Sequence, residues 1–295
     1  MDLIETGRRF NDETTCIRHL EQTRWNGLPC CPYCHSTNSS LKRESFRYTC
    51  LTCKRSYSVL VGTIFQSTKL PLQTWFMAMN LMINAKKGLS SLQLSRDLGV
   101  NKNTAWYLQR RIRHAMNEDD LILKGLIEAD ETYVGGSIIN YHENKKPVTN
   151  KQRGGKEHMN TVLGMVERNG QIVVKLIKKA YGEEIQPLLK KHIVKESTLV
   201  TDGFGGYSGL SRHFNKHVIL NHSKNIRATG KYHTNTIEGF WSMIKRAVVG
   251  QYHKLSTKHL QEYLDEIAFK YNHRESNNTF EYLLNRALSP PCATF

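Results

Sequence analysis

A pair of matched cysteine knuckles constrains this chain more than any other feature. Cys31-Pro-Tyr-Cys34 and Cys50-Leu-Thr-Cys53 are separated by fifteen residues. Two C-x2-C knuckles bring four thiolates to the corners of a tetrahedron, which is what zinc takes in structural sites. Four thiolates leave no open position, so the expected Zn2+ is structural. Phe46-Arg47-Tyr48 reads as strand, and the run from Tyr48 through Cys50 and Cys53 to Tyr57 suits a β-hairpin zinc ribbon. Cys30 adjoins the first knuckle, but only Cys31 keeps the two knuckles matched. Cys16 and Cys292 have no partner signature and read as ordinary residues.

Charge narrows the partners. The chain has 42 Lys and Arg against 26 Asp and Glu in 295 residues, a net charge of +16. A surface this basic attracts polyanions, DNA or RNA first among them, though charge alone does not separate an enzyme from a ribosome-like protein. No run of eighteen apolar residues is present, and the start, with Asp2 and Glu5, lacks a signal peptide's apolar stretch. The expectation is a cytoplasmic protein without a membrane partner, whose reduced thiols serve as ligands, not disulfides.

Three blocks differ in texture: 1–62 with the zinc ribbon, 63–119 helical and basic, and 120–295 alternating strands and helices, an α/β multi-domain chain. In the middle block Leu70 to Asn84 is an apolar helix whose Trp75, Met79 and Met82 read as core. Ser90 or Ser91 can cap a short helix, Gly99 can end it in the left-handed conformation, and Asn101 can cap a second helix through His114. A short helix, a glycine turn and a second helix match a helix-turn-helix. Its second helix opens with Lys102, Asn103 and Thr104 and continues with Arg110, Arg111 and Arg113, so it is expected to place its first residues on base edges and its arginines on phosphates. A plain helical hairpin with a solvated basic face is the alternative. The polar stretch Ser137 to Asn160 is a long basic loop, either a DNA contact or a solvated excursion.

The third block holds a set of acids in ordered settings. Asp130 lies at the centre of a strand that ends in Gly135 and Gly136. A hairpin follows, split at Asn169-Gly170. Asp202 closes the short strand Thr198–Asp202, just before Gly203, a position that often marks active sites in α/β sheets. Glu238 sits on a helix whose Ile237, Phe240, Trp241, Ile244 and Val248 form one apolar stripe, and Lys245 lies two turns further along the same edge. Each acid alone is an ordinary surface or salt-bridged group. Strand–Asp, hairpin, strand–Asp and helix–Glu together supply the oxygen ligands that two Mg2+ (or Mn2+) ions need for in-line phosphoryl displacement. Glu131 is expected on the opposite strand face, and Glu128 reads as structural or charge-balancing. Thr257 to Tyr271 reads as an amphipathic helix with Leu260, Leu264, Ile267 and Tyr271 inward.

These residues resemble the DDE transposases of bacterial insertion sequences, specifically the group with an N-terminal zinc ribbon and a ribonuclease H-like catalytic domain. The likeness rests on Cys31–Cys53, Glu128–Gly136, Thr201-Asp202-Gly203, His233 through Arg246, and Tyr252-His253-Lys254 running on to Tyr271-Asn272-His273-Arg274. It covers nearly the whole chain. Thirty-five residues lie between Asp202 and Glu238, and Lys245 follows seven later, as in the family's pattern. The resemblance implies a mixed five-stranded sheet flanked by helices and a two-metal site in which Asp130 bridges and Asp202 and Glu238 each complete one ion. It implies hydrolysis at an element's terminal inverted repeats, then attack of the 3′-hydroxyl on target DNA. It also implies a homo-oligomer pairing the ends, in a bacterial, nucleoid-associated setting. Two other readings stand beside it: a catalytically inactive zinc-ribbon and helix-turn-helix DNA-binding descendant, and a structure-specific nuclease on a ribonuclease H-like core.

Overall fold

Two aspartates start the chain's first helices. Asp2 accepts from the backbone N–H of Glu5 at 2.7 Å to begin α1 (Leu3–Arg9), and Asp12 accepts from Thr15 at 2.8 Å to begin α2 (Glu13–Trp25). Asn26, at φ 46°, ends α2 in the left-handed conformation. The computed structural model describes residues 1–135, 159–220, 228–253 and 255–288. Nearly all of the expected loop 137–160, with Gly136 and Cys292, lies outside them. Contacts divide the chain into two units, Met1–Asn117 with the residues from Glu275 onward, and Glu118–Arg274.

In the first unit the antiparallel strands β1 (Ser39–Lys42), β2 (Arg47–Cys50) and β3 (Ser56–Tyr57) form the ribbon sheet. Tyr48 and Tyr57 stack at 5.5 Å, and Trp25 meets Tyr48 edge-on at 5.3 Å. This small core sits against the knuckle cysteines Cys31 and Cys50. Helix α3 (Leu72–Asn84) buries Trp75, Met79 and Met82, as its spacing predicts. Its N-cap residue is Pro71, which makes no side-chain capping bond, and Glu13 of α2 instead accepts from the N–H of Leu72 at 2.8 Å.

Helices α4 (Ser91–Leu98) and α5 (Lys102–Ala115) form the expected pair. Ser90 caps the first, Gly99 turns at φ 65°, and Asn101 caps the second. The last helix, α9 (Thr279–Leu288), departs from the sequence reading, which kept all residues after 120 together. It packs against α2, α3 and α5. Phe280 joins Phe10 and Phe76 in an aromatic cluster, and Arg286 donates to the backbone carbonyls of Ala115 and Asn117 beyond the end of α5.

The second unit is built on strands β4 (Leu126–Val134), β5 (Asn160–Glu167), β6 (Ile172–Ile177), β7 (Thr198–Asp202) and β8 (Lys216–Leu220). Their order is β6-β5-β4-β7-β8. β4, β7 and β8 run parallel, and β5 is antiparallel to β4 and β6. The hairpin turn is one residue longer than Asn169-Gly170 predicts. Glu167 and Gln171 close it at 2.8 Å, with Asn169 at φ 61°. Arg168, in the turn, carries the β4–β5 register one step further, its N–H donating to the carbonyl of Leu126 and its guanidinium to Glu128.

Helix α6 (Gly182–His192) covers one sheet face through Ile185 and Leu189. The two-stranded β9 (Ala228–Thr229) and β10 (Tyr232–His233) lead into α7 (Asn235–Ala247), which with α8 (Leu260–Asn272) covers the other face. Leu260, Leu264 and Ile267 of α8 point inward as expected, and Tyr271 is half-buried. This mixed sheet between helix layers is the ribonuclease H-like architecture. Among the described residues no helix is long and apolar enough to cross a membrane.

Candidate active site and metal centre

The four knuckle cysteines converge. Their sulfur atoms all lie within 4.8 Å of one another. Cys31 and Cys53 are 3.7 Å apart and Cys34 and Cys50 are 3.5 Å apart. Tetrahedral zinc with Zn–S bonds of about 2.3 Å needs sulfurs about 3.8 Å apart, so the set fits that ion. The backbone N–H groups of Cys53 and Thr52 draw the Cys50 thiol down to about 6, which favours the thiolate a metal binds. Cys30 lies outside the cluster, with its thiol towards the carbonyl of His35.

Alternation along β4 places Glu128, Asp130 and Thr132 on the face towards α7. Asp130 pairs with Gly164 of β5 and accepts from the indole N–H of Trp241 at 2.9 Å. Asp202, the last residue of β7, turns its carboxylate back to accept from the N–H of Phe204 at 2.9 Å. Glu238 projects from the first turn of α7 and accepts from the hydroxyl of Thr234 at 3.0 Å. Asp130, Asp202, Glu238 and Lys245 all line one cleft of about 410 Å³, together with Glu131 and Trp241.

The cleft is short of positive charge. Burial pushes the Asp130 carboxyl above its ordinary 3.8. The Trp241 hydrogen bond opposes that shift, and the charges of Asp202 and Glu238 add to it. Glu131, expected only on the opposite face, also reaches the cleft, and the phenol of Tyr207 donates to it at 2.5 Å. Burial, opposed by that hydrogen bond and reinforced by Asp130 and Asp202, raises Glu131 to about 7. Oxygen donors alone, in mutual repulsion, fit hard divalent cations such as Mg2+ or Mn2+.

The basic face of α5 is smaller than its sequence reads. Lys102 and Asn103 are exposed, and Thr104 and Arg110 are half-buried. Arg111 and Arg113 are 5% and 1% exposed, so neither offers its guanidinium to a phosphate in this structure. Arg111 lies over the rings of Trp75 and Tyr107 and donates to the carbonyl of Gln66 at 2.9 Å. Amphipathic spacing assigns α5 one buried face, whereas α3 and α4 and the sequence-distant α9 together bury more of it. Sequence reasoning passed over Tyr107, which is 49% exposed and lines a second cleft of about 650 Å³ with Asn103, Thr104 and Lys69.

A cysteine ribbon, and a mixed sheet that gathers four carboxylates and a lysine in one cleft, point to the transposase class. The chain belongs to the ISXO2-like transposase family, whose domain model matches residues 122–272. A transposase zinc-ribbon domain model matches residues 11–56. A protein in the transposable element ISH50 of Halobacterium salinarum is 26% identical over 251 residues, covering 81% of this chain and 84% of the relative. The pre-cleavage Mos1 transpososome is a distant structural neighbour, 12% identical over 74% of this chain and 79% of its own, with a TM-score of 0.29. The Mos1 strand transfer complex is 13% identical over 72% and 75%, also with a TM-score of 0.29.

Proposed function

We propose that this transposase cuts DNA at the terminal inverted repeats of an insertion sequence and joins the freed 3′-hydroxyl ends to target DNA. The observation that carries the reading is the meeting of Asp130, Asp202, Glu238 and Lys245 in one cleft. Asp130, Asp202 and Glu238 would together hold the divalent cations, Mg2+ or Mn2+. Such ions would supply Lewis-acid activation of an attacking oxygen and stabilisation of the leaving oxygen in an in-line displacement. Trp241 keeps one Asp130 oxygen oriented, and Thr234 does the same for Glu238. Lys245, exposed on the cleft's rim, contacts a substrate phosphate.

The ribbon holds one structural Zn2+ through Cys31, Cys34, Cys50 and Cys53. Lys102, Asn103 and Thr104 at the start of α5 meet the DNA, with Arg110 alongside. We assign the ribbon to 1–62, the helix-turn-helix to 63–119 and catalysis to the sheet that follows, with α9 supporting the first unit. Two or more protomers pair the ends, in the cytoplasm at the nucleoid.

Strand transfer in vitro tests this. Wild-type protein with a labelled duplex carrying the element's own ends, a plasmid target and Mg2+ yields joined products, and Asp202→Ala yields none. End-specific binding without cleavage or joining in both proteins would sink the enzymatic reading.

A further inference from the structure

Glu128 is fully buried, on the same face of β4 as Asp130 and two residues before it. A carboxylate without water is costly unless it is paired and hydrogen-bonded. One of its oxygens accepts from Arg168 at 2.6 and 3.1 Å and from the Thr236 hydroxyl at 2.8 Å, with His233 3.5 Å away. The other accepts from the backbone N–H groups of Thr236 at 2.9 Å and Ile237 at 3.1 Å. Those two N–H groups belong to the first turn of α7, where a helix leaves donors unsatisfied. Asn235 is the first residue of α7. Thr234 holds the cap position, and its hydroxyl goes to Glu238. Glu128 therefore does a cap's work from a strand.

Helix α7 is thus fixed to β4 at two points that bracket Glu238. Before it stand Thr236 and Ile237 on Glu128, and after it stands Trp241 on Asp130. We propose that Glu128 is a positioning residue, which sets Glu238 against Asp130 and Asp202 so that the cleft is preorganised for its divalent cations. This rests on reading the cleft as the metal site. Groups behind metal ligands are worth about 10–100-fold in metal affinity. A purely architectural Glu128 would change the melting temperature and leave metal affinity alone.

The test is Mn2+ binding to the full-length, zinc-loaded protein without DNA, followed by the paramagnetic resonance of free Mn2+. Glu128→Gln keeps the shape but loses the charge that holds Arg168, and Thr236→Val removes one hydroxyl contact. Mn2+ affinity is expected to fall about 10–100-fold in Glu128→Gln and to fall less in Thr236→Val. Wild-type affinity in folded Glu128→Gln overturns the proposal. If Glu128→Gln does not fold, wild-type affinity in Thr236→Val overturns it. Asp202→Ala separates the two failures: wild-type affinity there overturns the metal-site reading itself, whereas impaired affinity there leaves the positioning role alone to be judged.

Discussion

Gly164 has little latitude. It faces Asp130 across the β4–β5 ladder, and a Cβ built on it would lie 2.4 Å from the six-membered ring of Trp241 and 2.8 Å from the Ile237 side chain. The missing side chain is what lets the indole lie over the strand and reach Asp130. Overpacking of this kind costs about 1–3 kcal/mol. Gly164→Ala is expected to lower the melting temperature and, because the indole is pushed off the carboxylate, to reduce strand transfer more than binding of the element's ends. A variant that melts and joins like wild type would refute that account. Glu131 teaches a related lesson. Strand alternation correctly sends it away from α7, but at the carboxyl end of the sheet a long side chain reaches the cleft from either face.

Among the elements, those whose signals are local were legible. Ser90, Gly99 and Asn101 mark the ends of α4 and α5, and the matched knuckles mark the ribbon. The three acids were legible as a constellation because each sits at a readable place in its strand or helix. What the sequence hid are interactions between distant segments. Helix α3 takes its capping carboxylate from Glu13 and α7 from Glu128, across separations of 59 and 108 residues. No window of sequence holds both partners. The burial of Arg111 was hidden for the same reason, since amphipathic spacing on α5 does not announce Trp75 or the carbonyl of Gln66. For the ribbon, zinc and fold are expected to stand together. A strong chelator should release one zinc per chain and make the four thiols of Cys31, Cys34, Cys50 and Cys53 reactive, leaving the signal of the second unit intact. Zinc release monitored with a chromogenic chelator, alongside thiol titration, checks this. Four reactive thiols before chelation would count against the site.

For the whole molecule, the division into units matters more than the boundaries read from texture. The first unit draws on both ends of the chain. Besides its aromatic contacts, α9 takes an ion pair and a hydrogen bond from Arg9 and His19 through Glu281. A chain ending at Arg274 is expected to lose the thermal transition of the first unit, or to lower it by several degrees, while the carboxylate unit keeps its own. Calorimetry with zinc present resolves the two, and an unchanged first transition would show α9 to be dispensable.

This arrangement also orders events during synthesis. Proteins are made from the N-terminus, and units fold as they emerge. Here the ribbon and the α4–α5 pair emerge first but must wait for their last helix until every residue of the carboxylate unit has been made. An interrupted translation product would therefore carry the basic helices without the helix that completes their core. The chain's own topology makes completion of the first unit a report that the whole carboxylate unit has been made.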